Sequence, residues 1–295
     1  VIKSRGTWLW SKTMRKTYYI FAPIVLLIAF VASYVGGCWT TTPPPPTAKQ
    51  LASLRDAYLN IPPADNGDLR FAVWGDVRDG RETMEKIIDE VEKDGGYAFT
   101  VCSGDMVPDA SESNYELFAR CALLNWRKTP IVFVPGNHDV NGEDTARDSF
   151  YRKYFGATHY SFAVGKTLFV TIDNATEDVF SDQYQWTENL LKTERAKYEN
   201  LIVFMHMPPF DSRDVVKPHA MDREQGEKLF SLLKEYHTTA IFCGHIHAYE
   251  AWNREDIPVW VSGGGGAELM PGERYHYLEV AMHDGKLSVT VHLIK

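Results

Sequence analysis

Six short apolar runs recur along the chain with amphipathic segments between them, and this alternation limits the fold more than any other feature. The runs Phe71–Trp74, Ala98–Cys102, Ile131–Val134, Thr167–Ile172, Leu201–Met205 and Ala240–Cys243 are rich in Val, Ile and Phe. They do not alternate apolar with polar residues, as a strand with one wet face would, so each is expected to be covered on both faces. Helical periodicity over 82–93, 113–127, 181–198 and 223–236 supplies the covering layers, which makes the chain an α/β protein. The last third differs. Val259–Ser262, Tyr277–Met282 and Leu287–Ile294 are expected strands, partly joined by the turn His283-Asp284-Gly285-Lys286. No internal repeat is present.

Four of these strands end in a short polar cluster: Gly75-Asp76, Gly104-Asp105, Gly136-Asn137-His138-Asp139 and Gly244-His245-Ile246-His247, while His206 closes a fifth. In open α/β folds ligands bind beyond the carboxyl ends of strands, so these side chains are expected to meet. A lone Gly-Asp is usually a turn, and a lone buried histidine is usually a core residue. Together they form a set of hard oxygen and imidazole donors without thiolate, suited to a divalent ion such as Mn, Fe, Zn or Ni.

This set resembles the calcineurin-like metallophosphoesterase superfamily across residues 69–295. The resemblance implies a four-layer αββα sandwich holding two divalent metal ions about 3.5–4 Å apart. Carried over position by position, Asp76 and His247 would bind one ion, Asn137, His206 and His245 the other, and Asp105 both. A hydroxide made between the ions would attack a small phosphorylated substrate, either a phosphomonoester or a phosphodiester. His138 would contact the phosphate and protonate the leaving oxygen, with Asp139 orienting or charging its imidazole.

Two positions depart from the family pattern. Where most members have Asp-x-His, this chain has Asp76-Val77-Arg78, and a guanidinium has five donors but no lone pair for a metal. The first ion is expected to lose a protein ligand, and Arg78 to meet a phosphate oxygen by charge-assisted hydrogen bonds. The competing readings are a structural pair with Asp79 or Asp109, or a first metal position that has decayed. Purple acid phosphatases place a tyrosine three residues after the bridging aspartate; here it is Pro108, so no metal–phenolate colour is expected. Two weaker signals stand beside these. The run Ser262–Ala267 contains four glycines and reads either as backbone approaching a phosphate or as a plain turn. Asp211, Arg213 and His219, in the Pro-rich loop Met207–Asp222, read as substrate contacts or as exposed loop residues.

The amino-terminal region reads separately. Residues 1–37 hold five Lys and Arg, no acidic residue and an apolar stretch from Tyr18 to Val35, the pattern of a signal peptide or membrane anchor. Val35-Gly36-Gly37-Cys38 resembles a bacterial lipobox, which implies lipidation at Cys38; either reading puts the remainder in the cell envelope outside the cytoplasm. Residues 38–68 are then a Pro-rich tether and a short helix near 48–60, and 69–295 the metallophosphoesterase domain. Without the leader, 26 Lys and Arg face 39 Asp and Glu, a net charge near −13. Such a chain is a poor binder of nucleic-acid backbones. Cys102, Cys121 and Cys243 show no CxxC spacing and imply no disulfide framework; Cys102 and Cys243 read as buried apolar residues. The expected function is an extracytoplasmic metal-dependent phosphohydrolase, with a non-catalytic lipoprotein scaffold as the alternative. Oligomeric state is not legible.

Overall fold

Eleven strands and six α-helices are found among the described residues of the computed structural model, which are 45–62, 68–125, 129–140, 148–176, 179, 181–213 and 219–295. The leader and Cys38 lie outside them. The strands are β1 (Leu69–Trp74), β2 (Phe99–Cys102), β3 (Ile131–Phe133), β4 (Tyr160–Val164), β5 (Thr167–Thr171) and β6 (Asn200–Phe204). They continue with β7 (Ala240–Cys243), β8 (Tyr249–Arg254), β9 (Ile257–Ser262), β10 (His276–His283) and β11 (Lys286–Leu293). The helices are α1 (Ala48–Arg55), α2 (Arg81–Asp94), α3 (Glu112–Asn125), α4 (Ser149–Phe155), α5 (Ser181–Glu194) and α6 (Arg223–Glu235).

The strands form two mixed sheets, ordered β11-β10-β1-β2-β3 and β4-β5-β6-β7-β9-β8. Within them β1, β2 and β3 run parallel, as do β5, β6, β7 and β9, so the loops leaving these strands emerge at their carboxyl ends. Burial assigns the faces. Phe71, Val73, Phe99 and Val101 of the first sheet meet Phe169, Ile202, Phe204 and Phe242 of the second in one inner core. Phe71 is its hub, stacked on Phe99 at 5.0 Å and edge-on to Phe169, Phe204 and Phe242. Residues one step along the same strands, such as Ala72 and Trp74, face outward against α2, α3 and α4. On the far side Val203 and Ile241 pack against Leu229 and Leu233 of α6. The result is the four-layer αββα sandwich, with each fully buried apolar side chain contributing about 1.5–3 kcal/mol.

α1 opens with a reciprocal capping box between Thr47 and Gln50 and buries Leu54; a 3-10 turn over Ala57–Asn60 follows, and Tyr58 stacks on Tyr160. The β10–β11 hairpin turns on Asp284 and Gly285, both left-handed, as an Asp-Gly centre favours. Cys102 and Cys243 are fully buried, and burial pushes both thiols up. Three elements lack an apolar run in sequence. β4 and β8 are antiparallel edges of the second sheet with partly exposed residues, and α4 is a single aromatic-rich helix burying Tyr151, Tyr154 and Phe155. No described helix is long and apolar enough to cross a membrane.

Candidate metal centre

The loops that leave β1, β2, β3, β6 and β7 converge at one edge of the sandwich. Asp76 N donates to the Gly104 carbonyl at 2.9 Å, and the Asp105 carbonyl accepts from both Val77 N and Arg78 N, so the first two loops are held as one unit. The His138 amide donates to Asp105 Oδ1 at 2.9 Å and adds the third. From the opposite sheet, His245 N donates to the Asp76 carboxylate at 3.0 Å, and the His206 ring meets the Ser103 carbonyl at 2.9 Å. Asp76, Arg78, Asp105 and His245 all have positive φ, between 49° and 70°. Such backbone costs on the order of 1–3 kcal/mol per residue and persists where surrounding structure enforces it.

Donor atoms then face one another. Asn137 Oδ1 lies 3.0 Å from His206 Nε2 and 3.0 Å from His245 Nδ1, which are themselves 3.2 Å apart, and Asp105 Oδ1 is 3.3 Å from His206 Nε2. The Ser103 carbonyl can only accept, so His206 Nδ1 donates to it and Nε2 is the ring nitrogen turned toward the other donors. The same logic applies to His247: Nδ1 is taken by the Glu268 carbonyl at 2.7 Å, and Nε2 lies 3.6 Å from Asp76 Oδ1. Asp76, Asp105 and His206 offer atoms within 4.8 Å of one another, and all three are buried.

The electrostatics of this set call for a cation. Burial and the Asp105 charge push the Asp76 carboxyl well up, against the His245 amide and Arg78. Burial and the neighbouring histidines push the His245 imidazole down to about 2, so the ring is neutral and one of its nitrogens keeps a lone pair for a metal. Adjacent buried carboxylates and converging acceptor atoms repel until a positive ion lies between them. Metal–ligand bonds of about 2.1 Å at near-right angles put neighbouring donors about 3 Å apart, the spacing found here. The residues therefore fit divalent ions.

Above the donors lies a cavity of about 360 Å³ lined by Arg78, Asp105, Asn137, His138, His245 and His247, with His219 and Glu268 at its rim. The matching family pattern, described as calcineurin-like phosphoesterase, covers residues 69–249. The chain belongs to this family.

Among its relatives, the Arabidopsis thaliana protein named "Probable purple acid phosphatase 20" is 25% identical over 74% of this chain and 56% of its own length. A Fibrobacter succinogenes protein named "Probable cyclic nucleotide phosphodiesterase" is 29% identical over 58% of this chain and 66% of its own. The chain thus spans between about half and two thirds of these relatives. The solved structure of a purple acid phosphatase from yellow lupin seeds shares the fold, with a TM-score of 0.63 at 18% identity over 79% of this chain and 52% of that one.

Within this calcineurin-like frame, Asp76, Asp105, Asn137, His206, His245 and His247 are brought together. Arg78 lines the cavity with no side-chain hydrogen bond or ion pair among the described residues, so the expected alternative of a pair with Asp79 or Asp109 is not formed. His138 Nε2 faces Asp105 Oδ2 at 4.0 Å. Asp139 needs correction. Its buried carboxylate accepts from the backbone amides of Met106, Val107 and Gly136, and the His138 Nδ1 instead meets the Pro108 carbonyl at 2.6 Å. Asp139 therefore braces the β2 and β3 loops and does not touch the imidazole. Burial and the Asp105 charge push it up against those amides.

The glycine run also differs from both expectations. It is buried, and alternate amides along it are tied to neighbouring loops: Gly265 N donates to the Gly75 carbonyl at 2.8 Å and Ala267 N to that of Asp76 at 2.7 Å. A side chain on any of the four would strike His276 or the backbone of the 75–80 or 246–247 segments. It is a strap across the β1 loop, made of glycine because nothing larger fits.

Of the loop candidates, His219 reaches the cavity, its ring 5.8 Å from His245, whereas Arg213 is bound bidentately to Asp211 at 2.8 and 2.7 Å. Arg213 and the His219 amide hold the Asp211 carboxyl down at about 2 despite the upward pull of burial. Sequence reasoning missed Asn174. Buried after β5, its side chain accepts from the His206 and Met207 amides and donates to the Met207 carbonyl, and so positions His206. A polar pair, Asp173-Asn174, at the end of an apolar run was its one signal.

Proposed function

We propose that this chain hydrolyses small phosphate esters outside the cytoplasm, as a lipid-anchored or membrane-anchored enzyme. The observation that carries the chemistry is the convergence of Asn137 Oδ1, His206 Nε2 and His245 Nδ1 within 3.2 Å, beside Asp105 and under a cavity lined by Arg78. Asp76, Asp105 and His247 would hold one divalent ion, and Asp105, Asn137, His206 and His245 the other. When bound, such a pair supplies Lewis acidity and an acidified water near neutral pH.

The chain's own residues do the rest. Arg78 offers a fork of donors to the non-bridging phosphate oxygens, where charge accumulates as the phosphorus–oxygen bond breaks. His138 keeps its Nδ1–H on the Pro108 carbonyl, which aims Nε2 at the site. A proton held on Nε2 is delivered to the departing oxygen. A second cavity of about 370 Å³, lined by Pro108, Asp109, Ala110 and Val140, shares Asn137 and His138 with the first. His138 thus stands between a phosphate chamber and a chamber for the leaving group. Whether one or two ester arms are accepted is set by these walls rather than by the metal ligands. The envelope location is supported by the leader pattern and Cys38 in the sequence.

The test is hydrolysis of p-nitrophenyl phosphate and of its bis ester, with metal content, for wild type and Asn137→Ala. Wild type turning over at least one substrate while Asn137→Ala loses both metal and rate supports the reading. Equal metal loading with zero rate in both proteins would instead favour the scaffold alternative. Retention of a membrane-partitioned form by wild type and its loss in Cys38→Ala tests the lipid anchor.

A further inference from the structure

The two ion positions are built from unequal means. Position two draws on Asn137 Oδ1, His206 Nε2 and His245 Nδ1, mutually 3.0–3.2 Å apart, plus Asp105 Oδ1 at 3.3 Å from His206. His206 is braced twice, its ring Nδ1 against the Ser103 carbonyl and its backbone amide against the Asn174 side chain. Position one has Asp76 and His247, spaced more widely at 3.6 Å, and a share of Asp105. Both Asp76 oxygens are already near the His245 amide, at 3.0 and 3.1 Å. The residue in the remaining ligand place is Arg78, which gives no lone pair and adds a fixed positive charge to the wall shared with Asp105 and His247. The charge balance points the same way. Among the ligands, Asp76 serves position one and Asp105 both, so one divalent ion balances the two ligand carboxylates. A second ion at position one then meets the fixed like charge of Arg78 in the same wall, which opposes it.

We propose that position two holds its ion as a resident while position one is exchangeable, filled only as the surrounding divalent-cation concentration allows, and that Arg78 sets this inequality. The proposal rests on the ligand assignment above. It makes occupancy of position one a variable of the environment, and so an external control on the rate.

Metal counting tests it without reference to activity. The full chain is loaded with Mn2+, dialysed against a weak competing chelator, and its manganese measured per chain by mass spectrometry. Wild type is expected to keep one ion, and Arg78→His, whose imidazole restores a donor and which tolerates the left-handed backbone at this site, to keep two. Calorimetric titration of metal-free wild type should show two affinities separated by at least tenfold, the scale on which support around a metal alters its binding. Asn137→Ala should keep no resident ion. Two ions retained alike by wild type, two equal affinities, or no gain in Arg78→His would each overturn the inequality and leave the hydrolase reading standing. No retained ion in any variant would remove the ligand assignment and this proposal together. Far-UV circular dichroism confirms that each variant is folded; the two-step titration of wild type needs no variant at all.

Discussion

The strap formed by the glycine run can be tested at Gly265. Its amide donates to the Gly75 carbonyl at 2.8 Å, and Ala267 N donates to the Asp76 carbonyl at 2.7 Å. The φ of Gly265 lies outside the left-handed region, so space alone decides what a methyl group does there, and that group would overlap the Gly75 oxygen. Relief requires the strap or the β1 loop to move. Overfilling a packed site costs about 1–3 kcal/mol, and the weakened hydrogen bond about 1 more. Gly265→Ala is therefore expected to lose about 2–4 kcal/mol, which for a domain of this size lowers the melting temperature by about 4–16 °C. Because the moved carbonyl adjoins Asp76, retained metal should fall as well. The assay is thermal unfolding by circular dichroism at matched metal loading, with Gly272→Ala as control. Gly272 has open space around it but φ of 91°, so its loss reports strain alone. A Gly265→Ala protein that melts within about 2 °C of wild type, or no lower than the control, would refute the strap.

Three further outcomes follow from the geometry. Arg78→Ala should lower kcat/KM by about 10–1,000-fold, from roughly 1.5–4 kcal/mol for a charged contact to the reacting group, without loss of metal; metal loss in a folded variant would contradict the phosphate contact. His138→Gln should cost about 10²–10⁴ in kcat with alkyl esters and much less with p-nitrophenyl esters, whose leaving oxygen needs no proton; equal losses on both would refute the proton-donor role. Burial lowers the His276 imidazole from its usual 6.5, although the Arg274 carbonyl partly holds it up. The unfolded chain then binds the proton more readily, so wild type should lose stability relative to His276→Asn as pH falls below 6.5, and a pH-independent gap in denaturant midpoints between 7.5 and 5.5 would contradict this.

The layers and the convergence of the polar strand ends were legible because both depend on local signals. Apolar runs such as Leu201–Met205 can be buried only as central strands, and each parallel strand delivers its next residues to the same edge, which is how Asp76, Asp105, Asn137 and His245 become neighbours. β4 and β8 were not legible, since an edge strand keeps one flank toward solvent and carries a mixed pattern: β8 reads Tyr-Glu-Ala-Trp-Asn-Arg with partial exposure throughout. The partner of His138 was hidden for another reason. Adjacency of His138 and Asp139 in sequence suggests contact, but successive side chains diverge, and Asp139 turns inward to backbone amides that no sequence pattern marks. The glycine run showed a need for small residues without showing whether a ligand or another loop caused it. His219 depended on where a Pro-rich loop lies, which composition does not determine.

The pairing of β1 with β10 bears on how the molecule reaches its folded state. Leu69 pairs with Met282 and Val73 with Leu278, so β1 finds one of its two neighbours only after the eight strands β2 to β9 have been made. Closing so large a loop is slow, and a ribosome adding about 5–20 residues per second leaves β1 open on one side for about 10–40 seconds. Until β10 arrives, that strand offers unpaired amides and carbonyls to any neighbour, so the half-made chain is open to mispairing along this edge.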